Sequence, residues 1–124
     1  MNVVDSSGWL EYFADGPNAA AFARPIEATA KLVVPTLSIF EVFKRVLVQR
    51  SEDAALEAAA LMRQGRVVPL DDALALEAAR LSVEHRLPMA DSVILATARA
   101  HKATLWTQDA DFEHVNGVRY LAKR

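Results

Sequence analysis

The chain has 124 residues, 52% of them hydrophobic and 24% charged, a length and balance that suit one domain, residues 1–124, with a core able to fold without covalent staples. The absence of cysteine excludes disulfides, thiolate catalysis and cysteine-based zinc sites, and leads us to expect a reducing, cytoplasmic compartment. A formal net charge of −2 gives no global pull toward nucleic acid, although a local basic surface or a bound cation would alter that balance.

MNVVDSSGW carries an acid where a secretory leader needs a basic start and an apolar run. No uncharged apolar stretch reaches the ~18 residues that suggest a membrane-spanning helix, so a soluble protein with no membrane partner is expected. In chain order, NVVD is a short apolar run ended by Asp5, and Ser6-Ser7 is placed to cap a helix carrying Trp9, Leu10 and Phe13. Gly16-Pro17-Asn18 breaks the pattern, and AAAFARPIEATA reads as helix with a boundary near Pro25. KLVVP is a second buried strand, after which Thr36 or Ser38 caps a helix with an apolar stripe of Ile39, Val42, Phe43, Val46 and Leu47.

A break at Arg50-Ser51 precedes an Ala-rich helix through Met62, and RVVPL supplies a third strand whose Pro69 marks a sheet edge or a strand end. Asp71-Asp72 opens a helix to about His85 with Leu74, Ala78 and Leu81 at core spacing. Arg86-Leu87-Pro88 separates it from a helix over about Met89 to His101, with Asp91 in the first turn. Ala103–Thr107 is a fourth strand, Gln108–Ala110 leaves its carboxyl end, and VRYLA offers a fifth. Short apolar runs alternating with longer helical patterns predict an α/β fold of three layers, a mostly parallel central sheet flanked by helices. The dinucleotide, phosphate-loop, hydrolase-elbow, zincin and EF-hand spacings are all absent.

Four acids, Asp5, Glu41, Asp91 and Asp109, fall at strand ends or in early helical turns. In a parallel sheet these places face one crevice, so the four acids are candidate ligands for a hard cation, Mg²⁺ or Mn²⁺. Each also has a purely structural alternative. Asp5 can cap a helix, and Glu41 can pair with Arg45 for about 0.2–0.5 kcal/mol. Asp91 can meet a helix dipole for about 0.3–1 kcal/mol. Asp111 either caps a turn or holds a water beside Asp109, while Phe112 either anchors the loop in the core, the favoured reading, or stacks on a base. Lys44 and Arg45, with Arg50, are candidate contacts to an RNA backbone or ordinary solvent-facing charges. The three histidines show no paired ligand spacing. Trp9 reads as a core or dimer-face aromatic and Trp106 as a core residue of its strand.

VVDSS, SIFEVFKR, ADSVILATA and LWTQDADF, taken in order, resemble the PIN-domain family, especially VapC-type ribonuclease toxins, over nearly the whole chain. The resemblance implies that Asp5, Glu41, Asp91 and Asp109 fill the family's four acidic positions as metal ligands and catalytic residues, with Ser6 and Thr107 at accompanying hydroxyl positions. It further implies Mg²⁺- or Mn²⁺-dependent hydrolysis of RNA phosphodiester bonds, inhibiting translation or growth until a cognate VapB-like antitoxin neutralises it. A homodimer and a higher toxin–antitoxin assembly come with the same resemblance. Two other readings stand beside it. One is a catalytically weak RNA-binding PIN-like regulatory protein; the other is a receiver-like Mg²⁺-dependent phosphoacceptor domain, which would place two acids directly after the first strand, where this chain has VVDSS.

Overall fold

The computed structural model describes residues 1–124. Five short strands, β1 (Asn2–Val4), β2 (Val33–Pro35), β3 (Arg66–Val68), β4 (Thr104–Thr107) and β5 (Val118–Tyr120), are interleaved with six α-helices. These are α1 (Ser6–Phe13), α2 (Ala19–Glu27), α3 (Thr36–Gln49), α4 (Glu52–Met62), α5 (Asp72–His85) and α6 (Met89–Ala100). Every strand pairing is parallel: β1, β4 and β5 form one sheet with β4 central, and β2 pairs with β3 in another. A single bridge between Asn2 and Leu32 joins the two sheets, giving the spatial order β3, β2, β1, β4, β5. The predicted three-layer α/β arrangement is therefore present.

Side chains of successive strand residues point to opposite faces, and two cores result. Val3, Val33 and Leu105 pack with Leu81 of α5, Ile94 and Leu95 of α6, and Phe112. Val4 and Val34 pack on the other face with Trp9 of α1, Phe22 of α2, Val42 of α3 and Met62 of α4. A fully buried side chain of this kind contributes about 1.5–3 kcal/mol relative to exposure, so short strands hold their places through these faces rather than through ladder length. No helix is long and apolar enough to cross a membrane.

Several local expectations give way to tertiary contacts. Asp5, not Ser6 or Ser7, is the N-cap of α1, because the Asp5 amide is still bonded to the Trp106 carbonyl and the helix starts one residue later. Helix α2 runs through Pro25 to Glu27. Pro25 stands in its last turn, where it forgoes the bond an amide there would make one turn back, and its ring is buried along with Ile26. The N-cap of α3 is Pro35, with no side-chain cap; Ser38 is instead fully buried in the first turn. The buried line of α3 is Ser38, Val42 and Val46, and Leu47, turned away from it, is exposed. Trp106 is only half-buried, its indole N–H donating to Asn2 Oδ1 and its ring covered by Arg119. Trp9 and Phe112 are core residues, and β3 is a sheet edge with Pro69 just past its end.

The turn between α5 and α6 sets the aim of the latter helix. Arg86 adopts a left-handed conformation (φ 54°), the Leu87 amide donates to the Ser82 carbonyl, and the Ser82 hydroxyl donates to the Leu87 carbonyl at 2.7 Å. Pro88 then caps α6, and Asp91 falls in its first turn, directed at the ends of β1 and β4.

Candidate metal and nucleic-acid site

Because β1 and β4 are adjacent and parallel, the residues that follow them emerge on the same edge of the sheet. Asp5 and Asp109 are those residues, and α6 brings Asp91 to them: carboxylate oxygens from all three lie within 4.8 Å of one another. Glu41 stands beside this group rather than within it. Its Oε1 accepts a 2.5 Å hydrogen bond from the Ser6 hydroxyl, and it forms no ion pair with Arg45.

Asp5 is held on both oxygens. Oδ1 accepts from the Ser7 hydroxyl (2.6 Å) and the Gly8 amide (3.2 Å), and Oδ2 accepts from the Thr107 hydroxyl (2.7 Å). The Thr107 oxygen in turn accepts from the Asp109 amide at 2.9 Å, so one hydroxyl links two of the acids. Asp109 Oδ1 accepts from the Asp111 amide, which makes Asp109 the cap of the short turn Ala110–Phe112 and leaves the Asp111 side chain exposed. Ser6 and Thr107 each hold a carboxylate by a hydrogen bond, Ser6 that of Glu41 and Thr107 that of Asp5. Ser7, which sequence reasoning missed, does the same; an Asp followed by two serines was its only signal.

Burial raises the Asp5 pKa from 3.8 to about 6, against the lowering effect of its hydrogen bonds, with a further push from Asp109. Asp91 rises to about 7, again first through burial and then through the charges of Asp109, Asp5, Asp111 and Glu41. Its place near a helix N-terminus is worth too little, about 0.3–1 kcal/mol, to reverse this. Two ionised carboxylates at such separations repel by roughly 3 kcal/mol or more at an effective dielectric of 20. An all-oxygen donor set whose members resist sharing their charge fits a hard divalent cation, and Asp5, Asp91 and Asp109 are the residues that would hold it.

Next to the acids runs an open groove of about 1090 Å³ between α1 and α3. Ser6, Ser7, Glu41 and Gln108 belong both to its lining and to the surroundings of the acids. Lys44, Arg45, Arg50 and Lys123 bring four cations to it against the two acids Glu11 and Glu41, a local excess opposite in sign to the chain's net charge. None of the four cations is ion-paired. The histidines take no part: His85 and His101 lie at helix ends and His114 in an exposed loop.

A family model described as PIN domain matches residues 3–118. No curated protein sequence matches the chain. Among solved structures, a toxin–antitoxin complex from Klebsiella pneumoniae superposes with a TM-score of 0.82 at 21% identity, covering 100% of both chains. The Mycobacterium tuberculosis toxin VapC20, a sarcin–ricin loop cleaving toxin, gives 0.78 at 18% identity over 94% of this chain and 95% of its own. A DNA-bound VapBC from Salmonella typhimurium gives 0.74 at 13% identity over 98% of each. Likeness at these identities establishes the fold.

Proposed function

This chain belongs to the PIN-domain family, and from that premise we propose that it is a divalent-metal-dependent ribonuclease toxin of a toxin–antitoxin system. The observation that carries the proposal is the meeting of Asp5, Asp91 and Asp109 beside a groove with an excess of unpaired cations. Fixed negative charge next to a positive channel suits a reaction in which a polyanion is held by its backbone while a cation is concentrated at one phosphate.

When bound, Mg²⁺ or Mn²⁺ supplies Lewis-acid charge that eases removal of a proton from water and offsets negative charge gathering on the phosphate. Asp5, Asp91 and Asp109 hold that cation, with Glu41 as a fourth carboxylate. Ser7 and Thr107 fix both oxygens of Asp5 so that the ligand does not have to be ordered on binding. Ser6 fixes Glu41 in the same way. Asp111, whose charge adds to the field on Asp91, holds a water at the rim in this reading. Lys44 and Arg45 bind the RNA backbone through phosphate contacts that carry no sequence information.

RNA as substrate class rests on the family and on the likeness to a toxin that cleaves the sarcin–ricin loop. A VapB-like antitoxin partner and self-association follow from the likeness to toxin–antitoxin complexes, together with exposed apolar side chains that suit protein contacts: Phe40 and Val48 on α3, Leu76 and Val83 on α5. A cytoplasmic address goes with that role and with the lack of cysteine.

The test uses purified, partner-free protein and a broad RNA pool with end mapping. Cleavage in Mg²⁺ or Mn²⁺ that stops on chelation, returns with metal, and is lost in Asp5→Asn supports the reading. RNA bound but never cleaved under those conditions would replace it with the regulatory, weakly catalytic alternative, and cleavage that survives without metal in the acid variants would reject the mechanism.

A further inference from the structure

Two amide side chains outside the acid cluster are buried, and their bond to each other has had no role so far: Asn18 is 3% exposed and Gln108 7%. Buried amides are costly unless their hydrogen bonds are made, and these are made to each other and to distant backbone. Asn18 Nδ2 donates to Gln108 Oε1 and to the Ala122 carbonyl, both at 3.0 Å. The Asn18 amide donates to Glu11 Oε2 at 2.8 Å. Gly16 permits this closure, since a Cβ there would lie 2.4 Å from Glu11 Oε1. Gln108 stands between Thr107 and Asp109, and its own amide donates to the Ser7 hydroxyl at 3.3 Å. A continuous bonded chain therefore runs from the acid site through Gln108 and Asn18 to Ala122.

The residue after Ala122 is Lys123, exposed, free of ion pairs and part of the groove lining. The other three cations of the groove come from α3 and the residue that follows it. Lys123 alone comes from the segment beyond β5, where it meets the groove beside Gln108 and the α1 residues next to the acids. We propose that Lys123 is a phosphate contact of the RNA groove and that Asn18 and Gln108 are positioning residues, fastening the segment beyond β5 so that its ammonium group faces the substrate. This inference rests on the ribonuclease reading and adds a residue to it. The Leu121 amide, bonded to the Thr107 carbonyl, holds the start of that segment, and the Asn18 side chain, itself bonded to Gln108, fixes the direction of the next residues by its one hydrogen bond to the Ala122 carbonyl.

The experiment measures binding of a labelled single-stranded RNA pool without metal across a salt series, and steady-state cleavage in Mg²⁺, for the whole chain. Lys123→Ala should raise Kd and KM about three- to tenfold and flatten the salt slope by about 0.7–1, with kcat and the Mg²⁺ midpoint unchanged. Lys123→Arg should restore both Kd and slope. Asn18→Ala should raise KM in the same way, and the Asn18→Ala/Lys123→Ala double variant should lose no more than the worse single variant. If Asn18→Ala does not fold, Gln108→Met makes the same cycle with Lys123→Ala. Wild-type Kd, KM and slope in Lys123→Ala, while wild-type protein binds and cleaves RNA, would overturn this inference alone. Additive losses in the cycle, or losses confined to kcat and metal affinity, would remove the positioning role. Wild-type protein that neither binds nor cleaves RNA would overturn this inference together with the ribonuclease reading.

Discussion

The Thr107 hydroxyl donates to Asp5 Oδ2 at 2.7 Å while its oxygen accepts from the Asp109 amide at 2.9 Å, so one buried side chain sets the spacing of two acids. Thr107→Val keeps the shape and removes both bonds. Metal affinity or kcat/KM should fall about 10–100-fold, as for other residues that orient ligands, with Thr107→Ser close to wild type. A Mg²⁺ titration of cleavage measures it, and wild-type behaviour of Thr107→Val would show that the link is dispensable.

Asp5→Asn and Asp91→Asn should each lower cleavage more than about tenfold by removing charge from the cation site. Neither should unfold the protein. In Asp5→Asn the amide oxygen keeps the bonds from Ser7 and Gly8, and the Thr107 hydroxyl can turn to accept from Nδ2 where it had donated, so the bonds survive the exchange. Initial rates at matched folded fractions, followed by circular dichroism, separate the two effects.

The raised pKa values fix a sign. In metal-free protein Asp5 and Asp91 hold protons up to about 6 and about 7, whereas the unfolded chain releases them near 3.8. The unfolded state therefore binds fewer protons within this window, and stability falls as pH rises from about 4 to 7. Asp5 alone corresponds to about 3 kcal/mol over its shift. Denaturant midpoints should fall across that range, and less so in Asp5→Asn. Added Mg²⁺ should raise the melting temperature more at pH 8 than at pH 5, because protons and the cation compete for the same oxygens. Equal thermal shifts at both pH values would contradict this competition.

Lys44→Ala with Arg45→Ala should weaken RNA binding and flatten its salt slope by about 1.4, since each removes one phosphate contact on a single strand. Metal affinity should be unchanged. Both side chains are exposed, with Lys44 lying 5.7 Å from the Phe40 ring centroid, so folding is spared. An unaltered slope in a binding titration would take these residues off the RNA surface.

Gly8→Ala opposes two effects of known size. Alanine gains about 1 kcal/mol of helix propensity over glycine, but a Cβ at this position would lie 2.6 Å from Val4 Cγ1 and 2.7 Å from the Phe22 ring. Overpacking of this kind costs about 1–3 kcal/mol, so we expect net destabilisation and a lower melting temperature. Activity should fall with it, because α1 carries Ser6 and Ser7.

The layer order was legible because short continuous apolar runs such as NVV and KLVVP, with their stiff β-branched side chains, suit buried parallel strands, whereas α3, α5 and α6 carry helical spacing. Asp5, Asp91 and Asp109 were legible for the same reason, each standing where a patterned element begins or ends. Glu41 was placed at the site, but its bond to Ser6 was not foreseen in detail, since it depends on how closely α1 approaches α3. For the cap of α1 the sequence offered both Asp5 and Ser6-Ser7, and the Asp5–Trp106 backbone bond, which marks where the strand releases the chain, decides for Asp5. Asn18 and Gln108 gave no signal at all. Their partners lie 90 and 104 residues away from Asn18, and local pattern does not report such distances.

The pairing of β1 with β4 has a consequence for synthesis. Asp5 is made early, yet Thr107 and Asp109, which complete its surroundings, come more than a hundred residues later. A nascent polypeptide still short of Thr104 lacks β4, the strand that pairs with β1 on the side of the acids, and has no third carboxylate to gather. It can build much of the α1–α4 layer while its acids remain scattered. The proposed hydrolytic centre is therefore closed only once β4 has been made, so products truncated before Thr104 carry helices α1 to α4 without the assembled acids.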